Sequence, residues 1–189
     1  MRSIHLLTIC LATITMATFT FAEKPDATKE KTESIDIFGA GKIEVPAAFK
    51  RTKTKSRIIE HEFQAKEGEG DDAKTARVTM MAAGGDVPAN IKRWKGQFSG
   101  GDAEKQKSEE IKLGDWTVHI VDVNGSYSER MGGGPFAGGK TVERKDYAMA
   151  GAIIVHPEGR KYFVKMIGPS AVVTENRKAF VEMIKSIEK

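Results

Sequence analysis

The chain has a single cysteine, Cys10, among its 189 residues. An intramolecular disulfide is therefore excluded, and with it the stapled scaffolds common among small secreted domains. Cys10 falls inside an N-terminal apolar run, so the rest of the chain has no thiolate for metal binding or nucleophilic attack. It does not read as a lipid-attachment site, because Ile9 stands where a small residue is needed and the cysteine comes too early. An excess of one charge is also missing: 30 Lys and Arg face 26 Asp and Glu, for a formal net charge of +4. That mildly basic balance excludes the footprint of a nucleic-acid binder. After the N-terminal run, no apolar stretch approaches the ~20 residues that cross a bilayer as a helix, so no spanning segment is expected.

Motif chemistry is sparse as well. There is no H-E-x-x-H, and His61 lies between Glu60 and Glu62, which in a strand would point away from it. His119 precedes Asp122 by three residues without further ligands, and His156 beside Pro157 reads as a turn residue. No metal and no cofactor is expected, since a transition-metal site needs three or four convergent ligands. A G-x-S-x-G elbow is absent, and Ser126 in Gly125-Ser126-Tyr127 lacks the second glycine. No catalytic residue is assigned. Paired carboxylates of the glycosidase kind stay open, because two acids can meet from any two strands.

What is present begins with an address. Arg2 precedes an apolar, threonine-rich run from Leu6 to Phe21, which closes on Thr20-Phe21-Ala22, a small-x-small pattern. Residues 1–22 read as a secretory signal cleaved after Ala22, with the product exported to the periplasm or secreted. Cleavage leaves about 167 residues, enough for one domain with a real core. Residues 23–34 (EKPDATKEKTES) hold no large apolar side chain and read as a disordered tether. A single domain is expected over 35–189.

From Ile35 onward period-2 alternation dominates. Ile43 and Val45 alternate before Pro46; Ile59, His61, Phe63 and Ala65 share a face; Ala76, Val78, Met80 and Ala82 repeat the pattern. Trp116 to Val123, Tyr147 to Val155 and Tyr162 to Ile167 give further strands, the last two joined by the turn residues Pro157, Glu158 and Gly159. Two segments switch to helical spacing. Asp86 caps a helix carrying Val87, Ile91, Trp94 and Phe98, and a second helix runs from about Ala171 to Glu188 with Val173, Phe180, Met183, Ile184 and Ile187 as its apolar stripe. Trp94 and Trp116 sit within these patterns and read as core anchors, not sugar platforms. Meandering strands with only two helices predict an α+β class: an antiparallel β-sheet with two main helices packed on it.

Strand, Asp-capped helix with Arg93-Trp94 and Gln97-Phe98, long hairpin, then Tyr162-Phe163-Val164-Lys165-Met166-Ile167-Gly168-Pro169 before a helix with Phe180 and Ser186: this order resembles the PsbP-type fold. That αβα sandwich is used by an extrinsic photosystem subunit and by a small nuclear Ran-binding protein. The resemblance spans roughly Ile35 to the C-terminus and is closest to exported bacterial members. It implies a binding or accessory module that docks to an envelope protein or complex. It carries over no functional residue and no photosynthetic role.

Three features invite a sharper reading. Gly134 to Thr141 (GPFAGGKT) satisfies G-x-x-x-x-G-K-[ST]. Its setting is wrong for a nucleotide loop, which joins a buried parallel strand to a helix, and it is taken as a chance match. The surrounding stretch, Glu129 to Lys145, reads as a long loop with Met131, Pro135 and Phe136 among glycines. Either Met131 and Phe136 anchor a partner while Arg130, Lys140, Arg144 and Lys145 read its charge, or Phe136 folds back onto the domain's own core. Lastly, Arg51, Lys53, Lys55 and Arg57 alternate, which on an extended segment forms a cationic row. The row either grips an anionic polymer or protects an edge, with Glu67, Glu69, Asp71 and Asp72 close behind to neutralise it.

Two functions from different classes follow. One is an exported, non-enzymatic accessory module that docks to an envelope protein or complex through a sheet face or the 129–145 loop. The other is a small-ligand-binding or weakly hydrolytic domain with its site on the sheet face, where Glu60, His119 and Asp122 interrupt apolar positions.

Overall fold

The computed structural model of the chain describes residues 32–54, 56–68, 70, 72–131 and 140–188. The expected signal with Cys10, residues 23–31 of the expected tether, Lys55, Glu69, Asp71 and Phe136 lie outside the described residues. The elements run β1 (Glu33–Ile37), β2 (Gly41–Val45), β3 (Lys50–Thr52), β4 (His61–Glu67), β5 (Lys74–Ala83), α1 (Val87–Lys95), β6 (Phe98–Ser99), β7 (Lys107–Leu113), β8 (Trp116–Met131), β9 (Lys140–Val155), β10 (Lys161–Pro169) and α2 (Ser170–Lys185), with a 3-10 turn at Ser186–Glu188. β1 and β2 form a hairpin of their own. The other eight strands form one antiparallel sheet in the order β3-β4-β5-β10-β9-β8-β6, with β7 also paired to β8. The class is α+β, as the alternation predicts.

Alternation gives each strand two faces, and each face receives a different cover. On one side Tyr162, Val164 and Met166 of β10, Val78 and Met80 of β5, and Val118 and Ile120 of β8 pack against Val172, Phe180, Met183 and Ile184 of α2 and against Ile35, Ile37, Ile43 and Val45 of the hairpin. On the other side Trp94 of α1 meets Val121, Val123, Met149, Ile153 and Phe163. One helix on each face makes the sheet the middle layer. The edge of Phe163 stands against the Trp94 ring at 5.2 Å between centroids, the geometry that ring quadrupoles favour.

The helix ends follow from local chemistry. Asp86 accepts a hydrogen bond from Ala89 N at 3.0 Å, satisfying one of the free first-turn amides, and Lys92, Arg93 and Lys95 complement the dipole at the other end. At the C-terminus of α2, Ser186 Oγ donates to Met183 O at 2.6 Å and accepts from Glu44 N at 2.7 Å, which fastens β2 to the helix end. On the opposite flank Arg177 of α2 holds Asp122 of β8 through Nε and Nη2 at 2.9 and 2.7 Å.

Several expectations are corrected. Glu33 and Ser34, expected in the tether, are strand residues paired with Val45 and Glu44, because Arg51 binds the Glu33 carboxylate and holds the strand in place. The cationic row does not form: β3 ends at Thr52, Arg51 is spent on Glu33 and stands over the Phe63 ring at 4.5 Å, and Arg57 lies exposed in a turn. Ile59 precedes β4 and is not part of it. The largest change concerns Glu129 to Lys145. Glu129–Met131 and Lys140–Lys145 are the distal ends of two 16-residue strands, in register from Met131↔Lys140 inward. The sequence there is mostly polar, with Val142 and Met131 as isolated exceptions, so no alternation announces the strands, yet the backbone ladder continues.

This ribbon outruns its neighbour, since β10 pairs with β9 only as far as Tyr147. A bulge re-aims it. Gly125 faces Tyr147 and Tyr127 faces Arg144, so Lys145 and Asp146 together oppose Ser126. Asp146 takes the left-handed conformation at φ 54°, and Gly125 at φ 140° lies so close to β6 that a β carbon there would stand 2.5 Å from Ser99 O.

Candidate functional site

Helix α1 has nine residues and covers only part of its face. Register defines what remains open. Glu62 of β4 pairs with Thr79 of β5, Thr79 with Lys165 of β10, and Lys165 with Gly151 of β9, giving one row across four strands. Trp94 rests on Gly151 at one end of the row. Beyond it α1 no longer covers the row, although Glu62 and Thr79 are themselves buried, and the next row adds Gln64, Arg77 and Ile167. The result is a cleft of about 550 Å³, floored by these strands. Ile58 and Ile59 from the 53–60 segment form one wall and Tyr127, Arg144 and Tyr147 from the ribbon form the other.

The floor is polar where a covered sheet would be apolar. Glu62 is 4% exposed, and both of its oxygens are held by Arg77, Oε1 by Nε at 2.9 Å and Oε2 by Nη2 at 2.7 Å. This two-point contact lifts Arg77 above its ordinary pKa, with burial opposing. Glu129 and Arg144 repeat the pairing across the ribbon at 3.0 Å. Lys165 differs. Its Nζ makes no hydrogen bond or ion pair among the described residues and lies 5.5 Å from the Trp94 ring. Burial, then Arg93 and Arg77, pulls its pKa down from 10.5 to about 8.

The aromatic wall is ordered. Tyr127 and Tyr147 stack with centroids 6.2 Å apart and planes 6° apart, and Phe98 lies 5.0 Å from Tyr127 on the far side. Burial raises the Tyr127 pKa. Ile58, 70% exposed, stands at the mouth as an exposed large apolar side chain.

The residues picked out by sequence reasoning divide between this cleft and elsewhere. Arg144 lines it. Lys140 and Lys145 are exposed on the ribbon, Arg130 and Met131 pair with Thr141 and Lys140 through their backbones, and Phe136 lies outside the described residues. The final two residues of the phosphate-loop match, Lys140 and Thr141, open an antiparallel strand and not a helix.

Glu60, His119 and Asp122 do not form a site. Glu60 accepts from Ala82 N beside β5, His119 lies 3.6 Å from Glu110 of β7, and Asp122 is on the opposite face under Arg177. Odd and even positions of β8 point to opposite sides, which separates His119 from Asp122. Among the described residues no three His, Asp or Glu side chains converge to hold a metal ion. Among the same residues no helix is long and apolar enough to cross a membrane.

Sequence reasoning missed Glu62, Arg77 and Lys165. The signal was present: Lys165 is a lone charge within Tyr162-Phe163-Val164-Lys165-Met166-Ile167, and Arg77 and Thr79 alternate with Val78 and Met80. Compared with known protein families and with curated proteins, the chain matches none. Fold and site together define an α+β sandwich whose central sheet carries a half-open polar cleft.

Proposed function

We propose that this chain is an exported, non-enzymatic binding module for a small ligand, and that the ligand occupies the cleft on the α1 face. The observation that carries this reading is the cleft floored by the polar Glu62–Thr79–Lys165 row beside a stacked tyrosine wall. A concave, partly apolar site with a few fixed polar groups is the usual form of a ligand pocket, and about 550 Å³ falls in the usual size range. The carboxylates there are gripped by arginines, an arrangement that positions and does not abstract protons. Export rests on residues 1–22, and membership of the PsbP-type group rests on the order of elements quoted above.

The test is amide NMR during addition of a low-molecular-weight fraction of the native envelope. Shifts confined to residues around Glu62, Arg77, Lys165 and Tyr127 are expected. Shifts scattered over the surface, or none, would overturn the reading.

A second reading, docking to an envelope protein, is favoured by the ribbon that extends past β10. Crosslinking in the native envelope should then capture one protein through Lys140 or Lys145. Capture unchanged by deletion of 132–139 would remove that segment from the contact.

A further inference from the structure

Resting on the cleft as the binding site, we propose that it takes an amphipathic anion: a carboxylate or phosphate monoester held between Lys165 Nζ and the Arg77 guanidinium, with an apolar body against Tyr127 and Tyr147.

Lys165 stands in a strand whose nearest same-face residues are Phe163 and Ile167, and its ammonium has no anionic partner among the described residues. Lys165 is half-buried, and an ammonium partly removed from water without a counter-ion is unfavourable, a penalty that a bound anion reduces. The charged groups facing it are Arg93 from α1, Arg77 and Glu62 from β5 and β4, and farther along the cleft Glu129, Arg144 and Lys53. Glu62 has both oxygens on Arg77, and Glu129 is held by Arg144. Cations outnumber carboxylates in the lining, so the cleft selects for negative charge.

Arg77 remains able to bind. Glu62 engages Nε and Nη2, while a guanidinium presents five donors in a fixed fork, leaving Nη1 to share an anion with Lys165. Arg77 and Lys165 are diagonal neighbours across the β5–β10 pair, the spacing at which long side chains meet over one ligand. The body of the ligand has its own surface in the stacked tyrosines, with Ile58 exposed at the mouth. A free inorganic ion would leave these unused.

The pH dependence follows from the geometry. An anion favours the protonated lysine, whose pKa in the cleft is about 8. Affinity therefore declines as pH rises through that value. Tyr127, held above its ordinary pKa by burial, stays neutral over the same range.

The experiment uses the protein expressed from the full 189-residue sequence and purified as the cell leaves it. Decanoate, decyl phosphate, decanol and inorganic phosphate are titrated by calorimetry and amide NMR. One or both decyl anions should bind about tenfold or more tightly than decanol near pH 7, a difference of the size expected for a charge-assisted contact. The decanoate and decyl phosphate arms decide which headgroup the site prefers. Lys165→Met should lose that preference and the decline of affinity with pH, while Lys165→Arg should keep the preference and lose only the decline.

Decanol binding in the cleft as tightly as both anions would overturn the anion assignment and leave the cleft as a binding site. Unchanged decanoate and decyl phosphate affinity in a folded Lys165→Met protein, or phosphate alone matching decyl phosphate, would also overturn the assignment. No cleft shift with any of the four probes would overturn both the assignment and the cleft.

Discussion

A β carbon placed on Gly151 would stand 2.8 Å from Cζ3 of Trp94, so the indole of α1 lies on bare backbone in the middle of the sheet. This contact sets the height of α1 above the strands and stands next to Lys165 in the same row. Gly151→Ala would lower the entropy of the unfolded chain, a gain of about 0.4–1 kcal/mol. Trp94 is 1% exposed and packs among Val121, Val123, Met149, Ile153 and Phe163, and overpacking of this kind costs about 1–3 kcal/mol. Crowding against the indole therefore outweighs the entropic gain. The variant should unfold at lower urea concentration than the natural chain and show altered tryptophan emission. A midpoint equal to or above that of the natural chain would refute the contact's role.

Phe38 is a second position where two effects compete. It occupies the turn between β1 and β2 with φ 62°, a conformation that costs a residue with a β carbon about 1–2 kcal/mol. Its ring stands edge-on to Tyr162 at 5.8 Å and to His156 at 6.3 Å, with Arg160 stacked at 4.5 Å. Two aromatic pairs at about 0.5–1.5 kcal/mol each and one cation–π contact at about 0.5–1 kcal/mol exceed the strain. Phe38→Gly relieves strain and loses packing, so a net loss of about 1 kcal/mol is expected in equilibrium unfolding. A more stable Phe38→Gly protein would mean that strain dominates.

The parts of the structure legible in the sequence are those where burial on one face imposes a period. Val78 and Met80, Tyr162 and Val164, and Val118 and Ile120 alternate because the face under α2 is fully covered. The distal ribbon carries no such mark, since Thr141 to Asp146 and Ser126 to Arg130 belong to strands held by backbone pairing and by the Glu129–Arg144 pair and Tyr127 stacking, none of which imposes a hydrophobic period. Glu33 reads as tether because its partner Arg51 is distant in sequence. The cleft is illegible for a related reason. Glu62, Arg77 and Lys165 come from three strands, and only the register of β4, β5 and β10 brings them together. Composition carries no hint of which strand adjoins which. Glu60, His119 and Asp122 are equally polar in the sequence, but strand parity and a helix partner disperse them.

Acid should loosen the molecule at the junction of β1, β3 and β4. Arg51 binds Glu33 and approaches His61 Nδ1 at 3.3 Å. The hydrogen bond from Arg51 holds the Glu33 carboxyl below its ordinary value of 4.5, and burial followed by the charge of Arg51 holds the His61 imidazole below 6.5. Both groups bind protons more readily in the unfolded chain, so both make stability rise with pH. The His61 contribution is fully present above pH 6.5 and is lost as pH falls below it; the Glu33 contribution is present above pH 4.5 and is lost below that. His61→Gln should therefore remove the upper step and keep the lower one, and Glu33→Gln should do the reverse. Urea midpoints measured at half-unit intervals from about pH 7.5 to 4 resolve the two steps. A His61→Gln protein that retained the full loss near pH 6 would place the acid sensitivity on other groups.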